Sequence, residues 1–200
     1  MSRGFYTVPK AYNEPIKDYA PGSKEKLELK KMIAEMRSKV ADIPMFIGGQ
    51  EIRTDDKREI HPPHDKKHLL GYYYYGNAEH VNQAINAALK ARAKWQEMPW
   101  EMRASIFLKA ADLVSGPYRA KINATSMLAQ SKNVFQAEID AACEMADFFR
   151  YNVQFMSEIY SQQPVSAPGM WNRVEQRPLE GFIYAITPFN FTSIAGNLAA

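Results

Sequence analysis

The chain has 200 residues, of which 46% are hydrophobic and 24% are charged, a balance that is typical of a folded globular protein and argues against disorder. The net charge is only +3, and no basic block with interleaved aromatic residues is present, so a nucleic-acid partner is not expected. The single cysteine, Cys143, excludes an internal disulfide and fits a reducing compartment. No apolar run approaches the roughly 20 residues that span a bilayer, and residues 1–10 lack a targeting pattern. These features predict a cytoplasmic protein without a membrane partner.

Residues 1–42 are predicted to form an irregular arm followed by one helix. The first 22 residues contain five prolines or glycines, which disfavour regular structure. Ser23 is a favourable helix cap, and apolar residues recur at helical spacing over residues 27–40. Pro44 is expected to end this helix.

Two short β elements are predicted next. Gly48 and Gly49 separate two short apolar runs, and this pattern predicts a β-hairpin because both turn positions of a type I′ turn require positive φ. Residues 69–75, which include four consecutive tyrosines, are predicted to form a strand.

A series of helices is predicted over the middle of the chain. Asn77 caps the first, Pro99 opens the second, and the third extends to about Gln130. Asn133 with Gln136 three residues later resembles a capping box and begins the longest helix. The apolar residues of that helix recur at steps of three and four, which predicts one buried face: Phe135, Ile139, Ala142, Ala146, Phe149, Val153, Met156 and Tyr160.

The last part of the chain predicts the beginning of a parallel sheet. Residues 174–177 form a short polar strand candidate. Residues 181–186 are continuously apolar, as expected of a strand that is buried on both faces. Helical character resumes at Thr192. The fold class is therefore α/β, with a helical layer and a β-hairpin leading into the first strand, loop and helix of a Rossmann-like domain.

The sequence stops among small helix-forming residues, so we expect the domain to be incomplete. An opening strand without neighbours presents unpaired backbone groups, which predicts poor solubility for the 200-residue chain.

Asn190 is the residue most clearly suited to a role in catalysis. It follows the predicted strand, after Pro188 has stiffened the turn, and a side-chain amide at this edge could donate a hydrogen bond to a developing oxyanion. The alternative is a structural turn in which Asn190 only caps the following helix. The residues alone leave both interpretations open.

The run around Asn190 resembles a motif of the aldehyde dehydrogenase family, namely Ile186-Thr187-Pro188-Phe189-Asn190-Phe191. Other segments resemble the Δ1-pyrroline-5-carboxylate dehydrogenase branch of that family: Phe107-Leu108-Lys109-Ala110-Ala111-Asp112, Ser115-Gly116-Pro117, Gln136-Ala137-Glu138-Ile139-Asp140-Ala141-Ala142, Asp147-Phe148-Phe149-Arg150, Gln162-Gln163-Pro164 and Leu179-Glu180-Gly181-Phe182. The resemblance covers residues 43–200 well and the first 40 loosely.

The resemblance implies a reaction and a set of site residues. In this branch a thiolate attacks glutamate γ-semialdehyde, hydride passes to NAD, and water releases glutamate. Asn190 would be the side-chain donor of the oxyanion hole. Ile186 and Thr187 would border the nicotinamide end of NAD. Phe191 would form one wall of the aldehyde site, and Glu144 would lie near the substrate channel.

The resemblance also implies a division of the chain. Residues 1–42 would be an arm and helix, and residues 43–170 the helical part of the cofactor-binding domain. Residues 171–180 would be an oligomerisation flap, which implies a homo-oligomer. Residues 181–200 would begin the NAD-binding sheet.

The nucleophile and general base of the family have no match in this chain, so the 200 residues are expected to be inactive alone. Cys143 does not fit the role, because it lies mid-helix beside Glu144, and an adjacent acid raises the pKa of a thiol. We therefore predict an inert, partly buried cysteine.

Three alternatives remain. The protein could oxidise a different semialdehyde, or belong to a bifunctional proline-catabolic protein, although a start at Met1 without a preceding domain argues against the latter. A noncatalytic helical interaction module is the third.

Two clusters of ionisable residues have ordinary interpretations. A group of three histidines could suggest a metal site: His61, His64 and His68. Prolines and lysines interrupt the group, so a solvated loop is expected instead. The long helix carries four acidic residues that are expected on a solvated face: Glu138, Asp140, Glu144 and Asp147. Asp147 is expected to pair with Arg150, three residues further along. For Glu144, the solvated position is an alternative to the place near the substrate channel that the resemblance implies.

Overall fold

The computed structural model describes residues 6–198. The helices are α1 (Lys24–Arg37), α2 (Ala78–Glu97), α3 (Trp100–Ser115), α4 (Arg119–Gln130), α5 (Val134–Ala137) and α6 (Glu144–Ser161), with a π-helical turn at Glu138–Cys143 and a 3₁₀ turn at Ile194–Asn197. The strands are β1 (Ala41–Ile43), β2 (Met45–Ile47), β3 (Gln50–Ile52), β4 (Lys57–Ile60) and β5 (Gly71–Tyr74). Among the described residues, no helix combines the length and apolar character that crossing a bilayer requires.

The predicted helix starts are confirmed by their caps. The Ser23 side chain accepts from the backbone of Lys26, and Asn77 and Asn133 each form a complete capping box. The predicted long helix is present over residues 134–161, but it contains the π-helical turn. That turn was not predicted, because one widened turn barely changes the spacing of the apolar residues.

The predicted β-hairpin is confirmed, but a second sheet was missed. Strands β2 and β3 pair antiparallel around Gly48 and Gly49, whose φ angles are 59° and 82°. The second sheet has the order β1-β5-β4, with a parallel and an antiparallel pair. Only β5 was expected, because β1 is short and exposed and β4 is largely charged. At Gly71 an added Cβ would lie 2.5 Å from the carbonyl oxygen of Ala41, so the parallel pair requires glycine there.

Helix α2 begins at the predicted Asn77 cap but buries no side chain. Val81 and Leu89 are exposed. The cap therefore predicted the start of the helix, while burial depends on a packing partner that the described residues do not supply.

The two strands predicted near the end are not formed. Residues 174–177 are irregular, and the backbone N–H of Val174 donates to the Gln163 side chain at 2.8 Å instead of to a strand. Residues 181–186 are exposed, because no described strand lies beside them. The segment is held against α2 instead, where Arg92 Nε donates to the carbonyl oxygen of Leu179 at 2.8 Å.

A buried acid joins the irregular arm to the helices. The side chain of Glu138, in the π-helical turn, is fully buried, which corrects the prediction of a solvated helix face. Its carboxylate accepts from Arg119 in α4 and, at 2.8 Å each, from the backbone N–H of Lys17 and the hydroxyl of Tyr19. Asn123 Nδ2 donates to it as well, at 2.7 Å.

Glu14 extends this network toward α6. One carboxylate oxygen accepts from Arg119 Nη1 at 2.5 Å, and the other accepts from Arg150 Nη1 at 2.8 Å. Arg150 also lies 3.8 Å from Asp147, as predicted. The arm is thus attached to α4, the π-helical turn and α6 by charge-assisted hydrogen bonds, which are about twice as strong as neutral ones.

Burial by itself would raise the pKa of Glu138, but hydrogen bonds from Arg119, Lys17 and Tyr19 more than offset it, so the pKa lies below its ordinary value of 4.5. A carboxyl whose pKa is lowered by folding stabilises the folded state fully above its unfolded pKa. That stabilisation is lost as the pH falls through the lower, folded value.

We predict that Glu138→Ala lowers the free energy of unfolding by about 3 kcal/mol at pH 7, because it leaves Arg119 buried beside an empty space. Urea titration measures the change. The difference from the wild type should shrink as the pH falls below 4.5, the ordinary value for this carboxyl.

The matched control is Glu35→Ala, which removes an exposed ion pair with Lys39 and should cost much less, because exposed ion pairs contribute little to stability. Equal losses for the two variants would contradict the structural role of Glu138.

Candidate active site at the loop of residues 187–193

The loop that carries Asn190 is fixed through both side chains and backbone. Ser126 Oγ donates to Thr192 Oγ1 at 2.7 Å, and Ser193 Oγ donates to the carbonyl oxygen of Ala141 in the π-helical turn at 2.9 Å. In the orientation that satisfies its amide, Gln130 accepts from the N–H groups of Phe191 and Thr192 at 3.2 Å each. Its nitrogen then donates to the Asn190 carbonyl oxygen, also at 3.2 Å. The loop backbone is therefore held by α4 and the π-helical turn.

The segment after the loop packs closely on α6. Ala195 is buried, and an added Cβ at Gly196 would lie 2.6 Å from the terminal methyl of Met145. The small residues at 195 and 196 therefore permit this close approach.

Phe191 is held from one side by a lysine. Its half-buried ring lies with its centroid 4.4 Å from Lys132 Nζ, and the same ammonium group is 2.6 Å from Asp140 Oδ2. The Lys132 ammonium group therefore contacts both the loop, through Phe191, and the π-helical turn, through Asp140.

Glu144 lies at the first residue of α6, four residues after Asp140, and is half-buried rather than freely solvated. Burial raises its pKa, and the negative charges of Asp140 and Asp147 add to the effect, while Lys132 opposes it. Carboxyl groups with raised pKa values occur preferentially at functional sites.

The other predicted site residues face solvent. Ile186 is 74% exposed, and Thr187 and the side chain of Asn190 are exposed as well. Lys132 thus joins Phe191 to Asp140, four residues before Glu144, while Ile186, Thr187 and Asn190 are exposed.

Cys143 has the surroundings of an unreactive thiol. It is 4% exposed, and burial, together with the negative charge of Glu138, raises the pKa of the thiol to about 12. At neutral pH a thiol with this pKa holds almost no thiolate, which is the nucleophilic form.

His61 and His64 have hydrogen-bond partners, whereas Nε2 of His68 is buried without one among the described residues. His61 contacts Glu59 through Nε2 and the carbonyl oxygen of His68 through Nδ1, both at 2.9 Å. His64 Nδ1 lies 2.7 Å from Ser131 Oγ. Within residues 6–198 no group of three or more histidine, cysteine or acidic side chains is arranged to hold a metal ion.

Three contacts of the loop were not anticipated from the sequence: Ser126, Gln130 and Lys132. Ser126 lies inside a predicted helix and Gln130 at its end, where a polar residue carries no signal of a partner that lies far along the chain. Lys132 lies in the short connection between two predicted helices, where a charged residue is ordinarily solvated.

Comparison with known proteins identifies the family. The sequence pattern of the Aldehyde dehydrogenase family matches residues 51–198. The chain belongs to the aldehyde dehydrogenase family.

Individual relatives and solved structures show which members of the family the chain resembles. The chain is 51% identical over 195 residues to a Δ1-pyrroline-5-carboxylate dehydrogenase of Agaricus bisporus, covering 96% of this chain and 36% of that protein. The crystal structure of the Δ-pyrroline-5-carboxylate dehydrogenase from Mycobacterium tuberculosis superimposes with a TM-score of 0.96 at 47% identity, covering 99% of this chain and 37% of the other. A structure of the same bacterial enzyme with NAD bound gives the same TM-score. The chain spans little more than a third of the length of these relatives, and over that span the predicted α/β fold class of the family is confirmed.

The predicted cytoplasmic location is wrong. The human relative, 45% identical over 190 residues, is named a mitochondrial Δ1-pyrroline-5-carboxylate dehydrogenase, and so are relatives from Emericella nidulans and Dictyostelium discoideum. Transit peptides are processing segments apart from the fold, so the composition of residues 1–10 does not determine the compartment.

We predict that Cys143 of the folded 200-residue chain resists Ellman's reagent at pH 8, because the thiol is buried and protonated. Absorbance of the released chromophore measures the labelling. The chain unfolded in urea serves as the control and should release one equivalent at once. Labelling of the folded chain at the rate of the unfolded one would contradict the buried position.

Proposed function

We propose that the whole protein is an NAD-dependent Δ1-pyrroline-5-carboxylate dehydrogenase, which oxidises L-glutamate γ-semialdehyde to L-glutamate in proline catabolism. The observation that carries the proposal is the docking of the Asn190 loop on α4 and the π-helical turn, in a chain with relatives of that name at 43–51% identity. A fixed backbone of this kind is what an oxyanion-stabilising amide requires.

In this proposal Asn190 is the side-chain donor of the oxyanion hole. When the nucleophile adds to the aldehyde, negative charge develops on the carbonyl oxygen, and a donor that is already in place stabilises it without reorganisation. The hydrogen bonds of Gln130 to the backbone of residues 190–192 support this role, because they fix the backbone that carries the amide. The exposed amide remains free to approach the substrate.

Ile186 and Thr187 would border the nicotinamide end of NAD. Both are exposed on the segment that enters the loop, so their surface is open to a flat ring. NAD, when bound, supplies the acceptor for the aldehyde hydride. The contribution of the chain is to orient the nicotinamide beside the aldehyde carbon that Asn190 activates.

Phe191 and Glu144 would define the substrate side. The half-buried ring of Phe191 offers an apolar wall to the aliphatic part of the semialdehyde. The Glu144 carboxyl would attract the ammonium group of an amino acid substrate, because opposite charges interact strongly where water is partly excluded.

The nucleophile belongs to the part of the whole protein that these 200 residues do not span. Cys143 is unsuitable, since its thiol is buried and its pKa is about 12. The 200-residue chain alone is therefore expected to be inactive, although it carries the oxyanion donor.

We also propose a homo-oligomer in which residues 171–180 form the oligomerisation flap, between a helical part at 43–170 and the beginning of the NAD-binding sheet at 181–200. The arm and first helix occupy residues 1–42. Support comes from apolar side chains that remain open to solvent in the flap, with Trp171 80% and Leu179 76% exposed.

The test is NADH formation by the whole protein with NAD and Δ1-pyrroline-5-carboxylate, followed by absorbance. Asn190→Ala should lower kcat by roughly 10²–10³, the usual effect of removing one oxyanion donor. Asn82→Ala, on the exposed surface of α2, is the matched control and should leave kcat unchanged.

Turnover of other aldehydes but not of this substrate would retain the family and overturn the substrate assignment. Absence of turnover with every aldehyde, from folded protein, would favour a noncatalytic interaction module.

A further inference from the structure

Lys132 is unusually buried for a lysine. Its side chain is only 15% exposed, although it lies in the short connection between α4 and α5. Lysine is among the residues that are rarely buried without a partner. The partner here is Asp140 of the π-helical turn, whose carboxylate lies 2.6 Å from the ammonium group and is itself 27% exposed.

The same ammonium group lies over the ring of Phe191, 4.4 Å from its centroid. A cation over an aromatic face is attracted by the negative charge density of the ring, and the attraction increases as water is removed. Lys132 therefore connects the π-helical turn to the loop that carries Asn190.

The positive charge of Lys132 also affects the ionisation of Glu144. Asp140 and Asp147 disfavour ionisation of its carboxyl, and Lys132 is the described cation that favours it. One lysine thus acts on the charge of Glu144 and on the position of Phe191, which lie on different elements.

The backbone before Lys132 is also constrained. Ser131 has a φ angle of 56°, in the left-handed region that residues other than glycine rarely adopt. His64 contacts the Ser131 hydroxyl through Nδ1 at 2.7 Å, and its backbone N–H donates to the same oxygen at 3.2 Å. This arrangement directs the chain so that Gln130 and Lys132, on either side, both reach the loop.

We propose that Lys132 is a positioning residue of the active site: anchored on Asp140, four residues before Glu144, it holds the Phe191 wall and sets the charge in the neighbourhood of the Glu144 carboxyl. The inference rests on the proposed function, because Phe191 and Glu144 are assigned to the substrate there. It adds a residue that contacts neither the aldehyde nor NAD but sets the shape and charge of the substrate side.

The experiment compares Lys132→Met and Lys132→Arg in the whole protein, with Δ1-pyrroline-5-carboxylate and NAD. Lys132→Met keeps the length of the side chain and removes the charge, and should lower kcat/KM by roughly 10-fold, equivalent to about 1.4 kcal/mol. Lys132→Arg keeps a cation and should recover most of the loss. The matched control is Lys39→Met, which removes an exposed lysine paired with Glu35 at 2.7 Å and should have no effect.

The pH dependence of kcat/KM separates positioning from mere stabilisation, because it reports ionisation in the free enzyme. Lys132→Met removes a positive charge near Glu144, so the acid limb of the profile should move to higher pH. Asp140→Asn removes a negative charge near the same carboxyl, so the limb should move to lower pH. A purely structural role would impair both variants without moving the limb in opposite directions.

Each outcome decides the inference. An active wild type whose Lys132→Met variant keeps full kcat/KM overturns it, and so do acid limbs that stay in place or move together. An inactive wild type overturns the proposed function, and this inference with it.

Discussion

The carboxylate of Glu138 has no access to solvent, and this burial constrains everything around it. A buried charge is tolerated only when it is paired and hydrogen-bonded, and here the donors come from α4 and from the arm. Tyr19 adopts a φ angle of 52° to bring its hydroxyl to the carboxylate, a strained backbone that the network offsets. Because Glu138 lies in the π-helical turn, the interaction that attaches the arm also fixes that turn.

The loop of residues 187–193 depends on the same turn. The carbonyl oxygen of Ala141 accepts from Ser193, and Asp140 anchors the lysine that faces Phe191. π-Helical turns occur frequently at functional sites, and this one shows a reason, since a single short segment joins a buried structural charge to the groups that hold the loop. The buried ion network and the proposed site therefore share one element, with Glu138 on its buried side and Asp140 toward the loop.

Local features of the sequence predicted local structure well. The caps at Ser23, Asn77 and Asn133 and the glycine hairpin depend on neighbouring residues, so they could be inferred without knowing the fold. The long-range contacts could not: Glu138 has the spacing of a solvated helix residue, and only its partner in α4, 19 residues away, makes burial possible. The strand expected at 181–186 fails for the same reason, because a buried strand is defined by neighbours that the described residues do not provide. For the site, the motif located Asn190, but nothing in the sequence connected Lys132 with Phe191.

The central claim is that Glu138 couples the arm to the loop of residues 187–193 through the π-helical turn. Amide hydrogen exchange of the whole protein, wild type against Glu138→Gln, measures this coupling, because the substitution removes the charge and keeps the shape. We expect faster exchange in the arm around Lys17 and, to a comparable degree, at Phe191 and Thr192 in the loop. Faster exchange in the arm with an unchanged loop would contradict the account and would make Glu138 a local anchor only.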